Sequence, residues 1–334
     1  VEELPAAVRA DTEARFARVR DVVPEVEWML HAPYVAAINE LKKQRNAIVL
    51  AHNYQTPEIF HGVADITGDS LALARRAAEA EAEVIVLCGV HFMAETAKLL
   101  NPTRTVLIPE LEAGWSLADS VTAEDVRSLR ERHPGVPVVT YVNTSAAVKA
   151  ESDVCCTSAN AVEVVESLGV ARVVFLPVEF LGRWVAANTS VEVILWNGHC
   201  EVHEQFTADQ VEAYRRQFPG IAVLAHPECS PEVLAAADVV GSTSGMSRWV
   251  RENRPRQAAL ITECSMADNL AAELPELELV RPCTLCPHMK RITLPRIVES
   301  LERLQYPVEV DPDVADRARR AVDRMLAVRL GGQD

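Results

Sequence analysis

Short, wholly apolar runs recur along the chain, and each one ends in a polar cluster that precedes a helix-like segment. In the clearest example, the run Val84–Leu87 ends at Cys88 and is followed by a segment, Ala94–Leu100, with the composition of a helix. Strands that are buried on both faces have this pattern, so it predicts an α/β protein with parallel sheets. A cysteine at such a strand end faces the crevice where open α/β sheets bind ligands. Because a lone buried thiol is more often a packing residue, Cys88 by itself does not indicate a metal site.

The pattern repeats along the chain. The segments 122–139 and 207–224 both run from a threonine N-cap through an acidic first turn and an amphipathic helix to a Pro-Gly stop and a buried strand. A third copy begins at Thr293, and the starting threonines are 85 and 86 residues apart. Units of this size are too small to bury their own helices well, so we expect three of them to pack around a common pseudo-threefold axis.

The repeat also predicts how the chain is divided. The copy that begins at Thr293 does not finish, so its helix is expected to pack back on the first unit. The predicted segments are an N-terminal helical extension (1–33), a first α/β unit (34–121, completed by 291–334), a second unit (122–206) and a third unit (207–290).

Polar side chains cluster where the predicted strands end. The carboxyl ends of parallel strands lie at one edge of a sheet, so these groups are expected to face one central cavity. Some of them come directly before helices, whose N-terminal N–H groups suit a carboxylate or a phosphate. The residues are His52, Tyr54, Tyr141, Asn143, His226 and Glu228 after the first strand of each unit, and Ser70, Ser158 and Thr243 before the following helices.

Composition narrows the classes of function. The chain has 334 residues, of which 49% are hydrophobic and 24% charged, as is typical of a well-packed globular protein. Its net charge of −15 argues against nucleic acid or an anionic membrane surface as a partner. No apolar run approaches the roughly 20 residues that span a bilayer. No secretory signal is recognisable at the start, so we expect a cytoplasmic protein.

The eight cysteines are unevenly spaced and do not form a disulfide framework. In an α/β protein of this kind, such thiols favour metal binding or catalysis. Cys200 and Cys286 follow the last strands of the second and third units, 86 residues apart, whereas the first unit has Trp115 at that place and Cys88 one strand earlier. The single close pair, Cys283 and Cys286, is too little for a structural zinc site.

Three thiols at strand ends, one from each unit, favour a metal cluster. A [4Fe–4S] cluster held by three cysteines leaves one iron open, and that iron can act as a Lewis acid toward a substrate oxygen. We therefore predict Cys88, Cys200 and Cys286 as ligands, and His203 is expected only to orient the loop of Cys200. The other thiols are expected to be packing residues (Cys155, Cys229 and Cys264) or, for Cys283, either a bystander or a partner of Cys286 when the cluster is lost.

The residues alone leave three alternatives open. An iron–sulfur hydro-lyase acting on a small carboxylate would use the same open iron. A non-catalytic sensor whose cluster reports oxygen or iron would not need His52, His226 and Glu228 in one cavity. A structural repeat protein would not need polar residues and cysteines at its strand ends.

Four motifs strongly resemble the quinolinate synthase family. They are 88–98 (CGVHFMAETAK), 111–119 (LEAG followed by SLAD), 141–145 (YVNTS) and 286–290 (CPHMK), and the match runs from about Leu30 to Leu304. The resemblance implies three three-layer αβα units around a central active-site cavity and a [4Fe–4S] cluster with three cysteine ligands. It implies a transferase that condenses iminoaspartate with dihydroxyacetone phosphate, losing phosphate and water, to form quinolinate for NAD biosynthesis. A functional link to an L-aspartate-oxidising enzyme would follow.

The resemblance also implies roles for individual residues. It implies the same three ligands, Cys88, Cys200 and Cys286. Glu228 would act as general base with assistance from His226, and Tyr54 would act on the carbonyl and hydroxyl groups of the triose. The implied substrate-binding residues are His52, Ser70, Tyr141, Asn143, Ser158, His226, Glu228 and Thr243.

Two positions depart from the family pattern. Trp115 stands where many relatives have a cysteine, which suggests that this position is not a required ligand. Val178 stands where an aspartate is expected. Neither change is predicted to touch the site.

Overall fold

The computed structural model describes residues 4–114, 117 and 120–328. Two helices, α1 (Ala6–Val19) and α2 (Glu25–Gln44), come first and pack against each other. The predicted boundary at residue 34 lies inside α2, because this helix accommodates Pro33 and continues through it.

Three four-stranded parallel sheets follow, and each is flanked by helices. The first contains β1 (Ala47–His52), α3 (Pro57–Phe60), β2 (Ile66–Gly68), α4 (Ser70–Ala78), β3 (Val84–Cys88), α5 (His91–Leu100) and β4 (Thr105–Leu107). The second contains α6 (Ala123–Arg132), β5 (Val138–Tyr141), α7 (Ala146–Glu151), β6 (Val154–Cys156), α8 (Ala161–Ser167), β7 (Arg172–Leu176), α9 (Glu179–Ala187) and β8 (Glu192–Leu195). The third contains α10 (Ala208–Gln217), β9 (Ala222–Ala225), α11 (Pro231–Ala236), β10 (Val239–Val240), α12 (Thr243–Asn253), β11 (Gln257–Ile261), α13 (Cys264–Glu273) and β12 (Glu278–Val280).

The three sheets share one topology. In each, the strands lie side by side in the order second, first, third, fourth. The order reverses next to the first strand, so its carboxyl end lies at a switch point, where α/β sheets open a crevice for ligands. The predicted fold class, three αβα units built on parallel sheets, is confirmed.

The helices begin where the repeat predicted. Thr122 and Thr207 each cap a helix, α6 and α10, through a reciprocal capping box. Thr293 is also an N-cap residue, but its side chain makes no cap hydrogen bond, and Pro295 lies in the first turn of that helix instead.

An aspartate directly before the second strand repeats in all three units and was not recognised in the sequence. Its carboxylate accepts a hydrogen bond from a backbone N–H of the first strand and pairs with a cation of the preceding helix. The cation lies 23 residues before the aspartate each time. The pairs are Lys42 with Asp65, Arg130 with Asp153, and Arg215 with Asp238.

The C-terminal segment joins two units. Helix α14 (Leu294–Arg303) packs on α2 and β3, and the chain at Pro307 pairs with Leu107 of β4, so this part completes the first unit. Helix α15 (Pro312–Ala327) contacts α5 but also α7 and β6 of the second unit. Helix α15 therefore packs against both the first and the second unit. Among the described residues, no helix is long and apolar enough to cross a membrane.

Candidate active site

One pocket lies where the carboxyl ends of the three sheets meet. Eleven of the twelve predicted site residues line it, and Cys88 is the exception. Asp69, Val90, Val202, His203 and Met289 complete the wall. The predicted residues in the lining are His52, Tyr54, Ser70, Tyr141, Asn143, Ser158, Cys200, His226, Glu228, Thr243 and Cys286.

One side chain after the first strand of each unit forms a hydrogen bond to a neighbouring unit. Its partner is the hydroxyl of a serine or threonine near a helix start. The pairs are Asn53 Nδ2 with Thr243 Oγ1 (2.8 Å), Asn143 Nδ2 with Ser70 Oγ (3.3 Å), and His226 Nε2 with Ser158 Oγ (3.2 Å). The wall of the pocket is therefore made of contacts between units.

His203 lies at the centre of the polar network, which the sequence did not predict. Its Nδ1 is 3.0 Å from Glu228 Oε2 and 3.2 Å from Cys200 Sγ. Its Nε2 is 3.0 Å from Thr262 Oγ1 and 3.3 Å from the Tyr54 hydroxyl. The sequence feature that could have predicted this is the spacing of three residues between Cys200 and His203. The short helical turn at His203 places both side chains at the pocket. Thr262 was missed because it follows β11, the third strand of its unit, whereas the predicted polar residues follow the first strands or precede the helices after the second strands.

Neighbouring side chains stabilise the buried carboxylate of Glu228 in the pocket. Burial alone would raise the pKa of Glu228, but the hydrogen bond from His203, the nearby His226 and the Tyr141 hydroxyl lower it to about 2. Burial lowers the pKa of His226 to about 3, reinforced by His203, and that of His52 to about 4. Near neutral pH the pocket thus holds an ionised carboxylate beside two neutral imidazoles.

Two of the three predicted cluster ligands face this pocket. Burial raises the pKa of Cys200 well above its usual range, reinforced by Glu228, and burial raises that of Cys286 to about 11. Metal binding would have to displace the protons of these thiols, and a bound cation would then stabilise their thiolates. Cys200, His203 and Glu228 also place their ligand atoms within 4.8 Å of one another, as a metal site requires.

Cys88 lies elsewhere. It is fully buried at the end of β3, and the charged group that acts on its thiol is Lys42 of α2. Val90, two residues later, reaches the pocket instead. The pocket lining therefore includes Cys200 and Cys286 but not Cys88.

A buried ion pair supports the loop of Cys286. The Glu263 side chain is fully buried and lies 2.9 Å from Lys290 Nζ. It also accepts a hydrogen bond from the Cys286 N–H at 3.4 Å. Lys290 donates to the Tyr54 carbonyl at 2.5 Å and thus joins the first and third units below the pocket.

Val178 is closer to the site than predicted. It is the buried N-cap residue of α9, and its backbone pairs with Gly198, two residues before Cys200. A Cβ at Gly198 would lie 2.4 Å from the Pro177 carbonyl oxygen and 2.5 Å from a methyl group of Leu117, so only glycine fits. Trp115, the other departure, lies outside the described residues.

The fold and the pocket together define an α/β enzyme with a buried cluster of Cys, His and Glu side chains whose geometry suits a metal ion. Over residues 36–327 the chain matches the family described as Quinolinate synthetase A protein. It is 62% identical over 323 residues to Quinolinate synthase 1 of Mesorhizobium japonicum, and the aligned region covers 97% of this chain and 100% of that relative. It is 65% identical over 311 residues to Quinolinate synthase of Agrobacterium fabrum, covering 93% and 90%. For Quinolinate synthase of Xylella fastidiosa the identity is 62% over 294 residues, covering 88% and 87%. The chain belongs to the quinolinate synthetase A family.

Proposed function

We propose that this chain condenses iminoaspartate with dihydroxyacetone phosphate to form quinolinate, releasing phosphate and water, as a transferase of NAD biosynthesis. The observation that carries the proposal is the convergence of eleven predicted residues from three units on one pocket. Family membership supports the same reaction.

Both substrates are anions. Among the described residues, the pocket lining contains the carboxylates Asp69 and Glu228 but no Lys or Arg, so anion binding there relies on N–H groups at helix starts. Ser70 and Thr243 are the first residues of α4 and α12, where free N–H groups and the helix dipole favour a carboxylate or a phosphate. Within the described part of the chain, Asn143 Oδ1 is buried without a hydrogen-bond partner. Such an acceptor suits a substrate N–H or O–H group.

Glu228 is the proposed general base. It stays ionised in a buried site, where a carboxylate can take a proton from carbon or from an imine nitrogen. His226 stacks on His203 with ring centroids 4.5 Å apart, so it can assist the transfer beside Glu228. The Tyr54 hydroxyl, held by Thr262 at 2.6 Å, is placed to polarise a carbonyl or to protonate a hydroxyl of the triose.

The proposed cofactor is a [4Fe–4S] cluster with Cys88, Cys200 and Cys286 as ligands. Cys200 and Cys286 fit this role because both thiols face the pocket. Cys88 is proposed from its position at a strand end and from the family resemblance, and ligation requires its buried thiol to reach the pocket, which it does not line. His203 and Glu228 are the competing donors for the third position because they already flank Cys200. When bound, a cluster with one open iron supplies a Lewis acid for the loss of water.

An enclosed pocket also suits the chemistry of an imine substrate. Iminoaspartate hydrolyses in water, and a buried site protects it. The proposal therefore includes supply by an enzyme that oxidises L-aspartate. It places both reactions in the cytoplasm, and all eight cysteines are free thiols in the structure.

The proposal is tested by omitting each substrate in turn. Anaerobically reconstituted protein should form quinolinate when iminoaspartate and dihydroxyacetone phosphate are both present, and none when either is left out. Dehydration of a small hydroxycarboxylate without quinolinate formation would support the hydro-lyase alternative. A cluster that changes its spectrum with oxygen but yields no product with either assay would support a sensor.

A further inference from the structure

Two cysteines outside the pocket bring their sulfur atoms together. Cys264 Sγ and Cys283 Sγ are 3.2 Å apart. Cys264 is buried at the first position of α13, whereas Cys283 is exposed in the loop after β12. An S–S bond is about 2.05 Å long, so the sulfur atoms need to approach by only about 1.2 Å to form one.

The backbone already connects the same two segments. The Cys264 N–H donates to the Thr284 carbonyl at 3.0 Å, so the loop and the helix are held in register beside the thiols. A disulfide here would strengthen an existing contact. It would not require either segment to leave its place.

The C-x-x-C spacing had suggested a different partner. Cys286 lies three residues after Cys283, but it lines the pocket, and its N–H points to the buried carboxylate of Glu263. Cys283 is on the solvent side of the same loop. The loop therefore separates the two thiols of the motif and gives Cys283 a neighbour from α13.

We propose that Cys264 and Cys283 form a reversible disulfide. Under oxidising conditions this pair is oxidised and the pocket thiol Cys286 is spared. The oxidant is a small disulfide of the glutathione class. The exposed Cys283 thiol attacks it, forming a mixed disulfide and releasing one small thiol. The Cys264 thiol then attacks the Cys283 sulfur and releases the second small thiol. Two electrons and two protons pass from the cysteine pair to the oxidant.

The environments of the two thiols support this order. Burial, together with the neighbouring Cys283, raises the pKa of Cys264 to about 12, so Cys264 is slow toward reagents in solution. Once Cys283 carries the mixed disulfide, its sulfur is already within van der Waals distance of Cys264. The second step therefore needs no access for the oxidant.

Peptide mapping can distinguish the two pairings. The full-length protein is treated with glutathione disulfide without oxygen, and free thiols are then blocked with N-ethylmaleimide. Trypsin alone leaves Cys264, Cys283 and Cys286 in one peptide, 257–290, because Arg281 precedes a proline. Cleavage after glutamate, at Glu273, Glu276 and Glu278, separates Cys264 from the other two.

The expected product is a cross-linked pair of peptides that carries Cys264 and Cys283, with Cys286 blocked by N-ethylmaleimide. The pair should be about 2 Da lighter than the sum of its two peptides, because two hydrogens are lost. A link between Cys283 and Cys286 would overturn the proposal. So would glutathione that remains on Cys283 beside a blocked Cys264, or a Cys283 that does not react.

Two variants sharpen the test. In Cys264→Ser, Cys283 should retain glutathione or form a disulfide with Cys286. The control Cys229→Ser should form the same Cys264–Cys283 cross-link as the wild type. Cys229 is also a buried thiol, but its sulfur faces the Ile261 carbonyl and no other cysteine. An iron-loaded sample should form the cross-link without losing iron, and iron loss in step with cross-linking would contradict the sparing of Cys286.

Discussion

Asn143 Nδ2 lies 3.3 Å from Ser70 Oγ and joins the end of β5 in the second unit to the start of α4 in the first. The same relation links the third unit to the second through His226 and Ser158, and the first unit to the third through Asn53 and Thr243. The three contacts form a closed ring. Each unit therefore lines one side of the pocket and forms a hydrogen bond to the side that is lined by the next unit. Stability and the site are therefore coupled at these residues.

Ser158→Ala tests this coupling. The substitution leaves buried His226 Nε2 without its partner, and an unsatisfied buried polar group costs about 1–3 kcal/mol. We expect the free energy of unfolding in urea to fall by that amount. Ser128→Ala, in the exposed face of α6, is the matched control and should stay within about 0.5 kcal/mol. Equal stability of the two variants would show that the ring contributes nothing.

Lys290→Met tests the buried pair below the pocket. Removal of the cation leaves the fully buried Glu263 carboxylate unpaired, which typically costs about 3–5 kcal/mol. The neighbouring Arg291 pairs with Glu112 at the surface, so Arg291→Met should cost less than about 1 kcal/mol. Urea unfolding of both variants measures the difference, and similar losses would refute the structural role of Lys290.

His52→Gln tests the pH dependence of stability. The burial of His52 lowers its pKa to about 4, and the groups that act on it are Asp69, Glu228 and Lys290. At a pH between about 4 and the pKa of about 6.5 that histidine has in the unfolded chain, the unfolded chain binds a proton that the native protein does not. Stability that is present above pH 6.5 is therefore lost as the pH falls toward 4, at up to about 1.4 kcal/mol per pH unit for this residue. The variant should flatten the slope of unfolding free energy against pH by that amount, and an unchanged slope would exclude the effect.

Much of this architecture was predictable because it repeats. Thr122 and Thr207 cap helices at equivalent places, and the strands that follow are apolar on both faces, so local pattern and fold agree. The polar strand ends then had to meet, since parallel strands present their carboxyl ends at one edge. This placed residues such as His226 and Glu228 correctly in the pocket.

Some features are not encoded in local pattern. Whether a thiol at a strand end lines the pocket depends on tertiary packing, and Cys88 is fully buried outside the pocket lining. His203 reaches Glu228 only through the turn after Cys200, and Cys264 meets Cys283 only through contact between α13 and a loop. These contacts are set by tertiary packing, which a single sequence does not reveal.

Cluster content in cysteine variants tests the ligand assignment. Cys200→Ser and Cys286→Ser should each lose the visible absorption and most of the iron of the anaerobically reconstituted protein. Cys229→Ser keeps all three proposed ligands and should match the wild type. Cys88→Ser should lose the cluster if its thiol turns to the pocket. A normal cluster in that variant would mean that His203 or Glu228 is the third ligand. Loss of the cluster in His203→Ala would then identify His203, and its retention would identify Glu228.

The central claim is that the pocket between the three sheets forms quinolinate with Glu228 as its base. The most direct measurement compares the wild type and Glu228→Gln at equal iron content in the anaerobic assay with both substrates. We expect quinolinate from the wild type and a rate at least about 100-fold lower from the variant, with its cluster spectrum retained. Quinolinate formation at the wild-type rate by Glu228→Gln, or none by the iron-loaded wild type, would contradict the account.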